Sequence, residues 1–164
     1  LFSIPILVLG IITDVKHRKW ILLILAVVIG IFSYYIIPTE GIDLYVYFQR
    51  MQNFGNMDII QLMEYLFNNT EPLFSIIFFI IGKTENFSLL SMVCTIYVYA
   101  LMFYMIDDYS KKKELSNIKT AFVILFFITT FNYAQFASGL RNIVAIVTYI
   151  FIIYLEFIKE KKKI

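Results

Sequence analysis

Apolar residues run through this chain in long blocks separated by short polar intervals. Four blocks cover residues 20–37, 87–106, 120–134 and 140–158. Each approaches the roughly 20 residues that a helix needs to cross a bilayer. Backbone N–H and C=O groups in lipid must pair within their own segment, so the pattern predicts membrane helices. Two further blocks are shorter. Residues 1–12 have no basic leader before them and no small-residue cleavage site after them, so they do not read as a signal peptide. They are expected to be the tail of a membrane helix that begins outside the chain. Residues 72–82 make only 11 positions. As a helix these reach about 16 Å, against about 30 Å of hydrocarbon.

The charges between the blocks orient them. Residues 13–19 carry Lys16, Arg18 and Lys19 around His17, whereas residues 38–71 carry Glu40, Asp43, Asp58, Glu64 and Glu71 against Arg50. Basic intervals stay cytoplasmic, so the first is assigned inside and the second outside. A full crossing by 72–82 would put Lys111, Lys112, Lys113 and the terminal lysine cluster outside. A segment that dips in and returns keeps both clusters inside. The expected fold is therefore all-α: a polytopic transmembrane helix bundle with a helical external loop and a short re-entrant or interfacial segment. Residues 1–164 read as a single integral membrane domain, expected to be a fragment of a longer polytopic protein.

The outer interval, 34 residues long, exceeds what a structureless connection normally needs. Asp43, Tyr47, Arg50 and Phe54 recur at helical spacing and share one face. Asp58 followed by Gln61 is a capping-box arrangement that opens a second helix, with Asn68-Asn69 to end it. Leu62, Leu66 and Phe67 are apolar enough for that helix to lie on a membrane surface. The plainer reading is an amphipathic hairpin that shields the outer mouth of the bundle.

Composition removes whole classes of function. The chain is 60% apolar and 16% charged, with a mean hydropathy of +0.79; a soluble chain runs at about 45–50% and 25%. A soluble enzyme, a nucleic-acid reader and a disordered segment are all excluded. One cysteine and one histidine leave no disulfide framework and no Cys- or His-based metal cluster. No phosphate-binding loop or nucleophile elbow is present, and no cofactor or metal is expected. Cys94 reads as packing, His17 as part of a basic flank, and Asp107-Asp108 beside Lys111 as a solvated helix end.

The chemistry is left to Asp43, Arg50, Glu71 and Arg141. An ionisable group in or beside a membrane segment is costly and points to function. Arg141 lies in a polar turn with Gln135, Ser138, Gly139 and Asn142, expected near the outer interface. Its alternative role is a snorkelling anchor; that of Glu71 is a carboxylate ahead of a helix with Pro72 at its first position.

Together these features resemble the EpsG-like, Wzy-type polysaccharide polymerases of bacterial exopolysaccharide and capsule clusters. Gly41-Ile42-Asp43-Leu44-Tyr45-Val46-Tyr47 looks like that family's G-x-D-x-x-x-Y segment. Thr70-Glu71-Pro72-Leu73-Phe74 is similar to its E-P-x-[FY] stretch. Gly139-Leu140-Arg141-Asn142, leading into an apolar helix and a lysine flank, is similar to its R-Q-x-[IVL]-A helix. Asn142 stands where the family has Gln, and Ala145 comes one place late. The resemblance covers about residues 20–163 and implies a membrane enzyme of the bacterial cell membrane. Its partners would be undecaprenyl-diphosphate-linked oligosaccharide, membrane lipid and other polysaccharide-assembly proteins.

What such a reaction needs assigns the residues. A leaving diphosphate needs its growing negative charge held, which suits the forked guanidinium of Arg141, with Arg50 second. An attacking sugar hydroxyl must lose its proton, which suits Glu71 or Asp43. Tyr45 and Tyr47 are expected to offer sugar-stacking or hydrogen-bonding surface, and Asn142 to assist substrate binding. Two other classes compete: a lipid-linked sugar transporter or flippase whose path these charges line, and a membrane acyltransferase. The latter would want a histidine at the membrane, and His17 lies in the wrong flank.

Overall fold

The computed structural model describes residues 17–68, 71–131 and 139–159. Residues 1–12, Lys16, Asn69, Thr70, Gln135, Ser138 and the terminal flank from Glu160 lie outside them. The described residues form seven α-helices and no strand: α1 Arg18–Tyr34, α2 Asp43–Asn56, α3 Ile59–Phe67, α4 Pro72–Gly82, α5 Ser88–Lys112, α6 Asn117–Thr130 and α7 Leu140–Tyr154. A π-helical turn, Leu155–Lys159, prolongs α7. The segments Ser88–Lys112 and Leu140–Ile158 are long and apolar enough to cross a membrane.

Among the described residues, the other two long blocks hold shorter helices. α1 has 17 residues and α6 only 14. The apolar pattern after α6 continues, but Phe131 leaves helical geometry at ψ 81°, and its carbonyl accepts a hydrogen bond from the Tyr99 hydroxyl. That bond gives the helix a stop that the pattern does not encode.

α1 and α5 lie antiparallel. Arg18 meets Asp107 at one end, and the Asn86 amide donates to the Tyr34 hydroxyl at the other, 2.9 Å away. Gly30 lets them approach: a Cβ there would sit 2.2 Å from Ile96 Cγ1. Around this pair Leu22, Leu25, Ala26 and Ile29 pack with Val98, Tyr99 and Phe103, joined by Ile124 and Phe127 of α6 and Val147 of α7. α6 starts at the Arg18 end, where Asn117 accepts from Arg18, and stops level with Tyr99. α7 starts near the same depth, with Leu140 beside Cys94 and Val98, and returns to the Arg18 end, where Tyr154 donates to Asp108. Cys94 lies six residues into α5 from Ser88, so α7 begins about 9 Å along α5 from its first residue.

A second core fills the Tyr34 end. Leu44, Tyr47, Met51 and Phe54 of α2 meet Phe74, Phe78 and Ile81 of α4, over Leu90, Cys94 and Leu140. α2 and α4 touch backbone to backbone, because a Cβ on Gly82 would lie 2.3 Å from the Met51 carbonyl and one on Gly55 2.6 Å from the Gly82 carbonyl. α4 starts beside α7 and ends near Tyr34, so both of its ends belong to the same half of the α1–α5 pair. The capping box at Asp58 and Gln61 forms as the spacing predicts, with bonds of 2.7 and 2.9 Å, and Asn68 caps the other end of α3. On α3, Ile59, Ile60, Met63 and Phe67 remain exposed.

The Arg18 end overturns one expectation. Asp107 is no solvated helix end: it is 6% exposed, and its partner Arg18 2%. Asp107 holds Arg18 Nε through one oxygen and Lys111 Nζ, at 2.6 Å, through the other. Asp108 pairs with Lys112 and accepts from Tyr154. Desolvating Arg18 requires a carboxylate, and α5 supplies it across the antiparallel contact.

Candidate functional site

Glu71 stands immediately before α4, whose first residue is Pro72. Proline has no N–H to lose at that position and its fixed φ starts the helix. The Ser75 hydroxyl donates to the Glu71 carbonyl at 2.9 Å, fixing the first turn and leaving the Glu71 side chain free to project toward α7. There Arg141, in the first turn of α7, donates from Nη1 to Glu71 Oε1. A cation at a helix N-terminus opposes the helix dipole, so Arg141 gains from a carboxylate partner. The two side chains remain 38% and 39% exposed.

The pair forms one wall of a half-open cleft of about 420 Å³, within the roughly 300–1,000 Å³ common for small-ligand sites. Arg50 and Asn53 of α2, Tyr65 of α3 and Ser75 of α4 complete the polar lining, over Phe54, Phe74 and Phe78. Tyr47 lies beneath, 5% exposed, with its ring centroid 5.5 Å from that of Phe78. Burial pushes its phenol pKa upward; Asp43 adds to this, Arg141 and Arg50 oppose it, and Glu71 adds again. Five charged or titratable groups from α2, from the residue before α4 and from α7 therefore share one electrostatic neighbourhood, and the phenol stays protonated at neutral pH.

Of the residues expected at a site, Arg50, Glu71 and Arg141 line the cleft together. Asp43 sits half-buried one turn before Tyr47, outside the lining but within electrostatic reach. Tyr47, expected to offer stacking or hydrogen-bonding surface, is 5% exposed with its ring tilted against Phe78. Tyr45 is half-buried and Asn142 exposed, and neither lines the cleft. Asn53, Tyr65 and Ser75 were not foreseen. Asn53 had a readable signal, since it follows Arg50 at i+3 on the same face. Tyr65 is held by an edge-on contact with Phe54 at 5.0 Å, which no local pattern announces.

Among the described residues, no three His, Cys, Asp or Glu side chains gather as a metal site. A separate groove of about 260 Å³ runs between α1 and α5 at the Arg18 end. Its walls are mostly apolar and its one acid, Asp107, is already paired. No protein-family model, curated protein or solved structure matches the chain.

The arrangement has a definite chemical capacity. At rest Glu71 neutralises Arg141, while Arg50 borders the same cleft from the opposite helix. Both guanidinium groups border the cleft, and forked charge-assisted bonds to phosphate are stronger and more directional than those of neutral donors. Drawing Arg141 toward such an anion frees a carboxylate within the same cleft.

Proposed function

We propose that this chain is the catalytic part of a polytopic bacterial membrane glycosyltransferase of the EpsG-like kind. It joins oligosaccharide repeats carried on undecaprenyl diphosphate, at the external face of the cell membrane, into exopolysaccharide or capsule. The observation that carries this reading is the convergence of Arg50, Glu71 and Arg141 on one cleft. They come from three separate segments, two of which hold motifs that carry the resemblance. The α7 start adds support, since a position set in from the first residue of α5 suits a lipid-borne diphosphate at the head-group level. So does α4, whose two ends lie in one half of the bundle, as a dipping segment requires. The exposed stripe of α3 suits an interfacial helix.

In this reading the donor diphosphate meets Arg50 first and then draws Arg141 away from Glu71. The freed carboxylate accepts the proton of the acceptor hydroxyl as its oxygen bonds to the anomeric carbon. The anomeric C–O bond to the lipid diphosphate breaks, and the two guanidinium groups hold the charge that develops on the leaving group. Arg141→Lys keeps one positive charge but loses the fork. Cells that depend on a full-length protein carrying Arg141→Lys or Arg141→Ala should make short polymer, read from its length on a gel. Polymer of normal length from both variants would exclude the assigned role.

A further inference from the structure

A second cavity of about 410 Å³ lies across α2 from the Glu71–Arg141 cleft. The two cavities use alternate faces of the same helical turns. Arg50, Asn53 and Phe54 look into the first, and Gln52, Gly55 and Asn56 into the second. The floor is the close backbone contact of Gly55 with Gly82. Lys83, Glu85 and Phe87 supply the facing wall.

That wall is exposed at Lys83 and Glu85 and fixed in part by hydrogen bonds. Lys83 Nζ donates to the Met57 carbonyl at 2.8 Å, leaving two of its three donors for other partners. Thr84 Oγ1 donates to the Ile81 carbonyl at 2.7 Å, and the Asn86 amide reaches Tyr34. Within this turn Glu85 adopts φ 57°, a left-handed conformation that glycine takes freely and a glutamate does not.

The chemistry of the wall selects a ligand class. Gln52 and Asn56 each both donate and accept, Glu85 accepts, and Lys83 donates. Lys83 and Glu85 cancel in charge, so the cavity does not favour a phosphate, a nucleotide or a metal ion. Phe87 adds an aromatic ring, itself propped edge-on by Phe48 at 5.8 Å. Mixed donors and acceptors beside a ring match the adjacent hydroxyls and the C–H face of a neutral sugar.

We infer that this cavity, formed by Gln52, Asn56, Lys83, Glu85 and Phe87, is a neutral-glycan subsite that holds the acceptor chain beside the reaction cleft. The acceptor role rests on the polymerase reading; the sugar-binding capacity does not. The test uses the full-length protein in nanodiscs and lipid-free repeat oligosaccharides cut from the producing cell's own polysaccharide, with binding read by calorimetry. Gln52→Ala and Glu85→Gly should each weaken binding about tenfold, the size of one or two lost hydrogen bonds, while Arg141→Ala leaves it unchanged. Glu85→Gly removes the backbone strain together with the carboxylate, so the variant should keep or raise its melting temperature. Cells carrying Gln52→Ala should still join repeats but make shorter chains. Unchanged binding in both cavity variants, or loss of binding in Arg141→Ala alone, would overturn the subsite. Normal polymer from cells that lack the protein altogether, with binding lost in Glu85→Gly, would overturn the polymerase reading and leave the sugar site standing.

Discussion

Arg141 donates to the Glu71 carboxylate across 70 residues of chain, and the pair stays more than one-third exposed on both sides. An ion pair in that setting contributes about 1 kcal/mol or less to stability. Its geometry therefore matters more for what it can bind than for what it holds together. Glu71→Gln should shift thermal unfolding only slightly, by about 1 kcal/mol or less, and yet abolish chain growth. A large loss of stability in Glu71→Gln would mean that the pair is a structural clamp.

The ion pair at the other end of the bundle behaves in the opposite way. Arg18 and Asp107 are buried, and removing one partner strands a charge. Asp107→Ala should cost about 3–5 kcal/mol, and the joint replacement Arg18→Met with Asp107→Leu should recover most of it. Thermal unfolding of the three proteins in one detergent checks this. A mild effect of Asp107→Ala, comparable to that of Glu71→Gln, would contradict the burial of the pair.

Gly82 bears on the cleft through packing. Its Cα faces the backbone of Met51 and Gly55, and an added methyl meets those atoms rather than a flexible side chain. Gly82→Ala should destabilise by about 1–3 kcal/mol, as overpacking does. It should also separate α2 from α4 and so part Arg50 from Glu71. Activity should fall with it, whereas Gly41→Ala, with nothing within 4 Å, disturbs only a local turn at φ 91°. Equal effects of the two on polymer length would remove the α2–α4 contact from the account.

Membrane orientation is separable from chemistry. With Cys94 buried, single cysteines placed at Gln52, Glu85 and Lys111 report sidedness in intact cells. An impermeant thiol reagent should label the first two and miss the third. Efficient labelling at Lys111 from outside would show that Pro72–Gly82 crosses the membrane fully.

The parts of this structure that were readable from the chain are those fixed by near neighbours. The Asp58–Gln61 box, Pro72 at the start of α4 and the shared face of Arg50 and Phe54 each depend on residues within one or two turns. The parts that were not readable depend on distant ones. Arg18 looked like its neighbours Lys16 and Lys19, and nothing local shows that Asp107, 89 residues on, takes it out of water. The apolar run through Phe131 continues as a helix would, but the Tyr99 hydroxyl claims the Phe131 carbonyl. Helical spacing placed Tyr47 beside Arg50, though only the position of Phe78 decides that the ring is buried rather than offered. Topology read from lysines brought Glu71 and Arg141 to one side, and their direct pairing required the short α4 and the inset start of α7.

The most direct measurement is chain growth by the purified full-length protein in liposomes supplied with undecaprenyl-diphosphate-linked repeats. Wild type should convert them to a ladder of longer lipid-linked products, Arg141→Lys to a much shorter ladder, and Glu71→Gln should leave single repeats, both variants still folding. A full ladder from either variant, or none from a folded wild type, would contradict catalysis at the Glu71–Arg141 cleft.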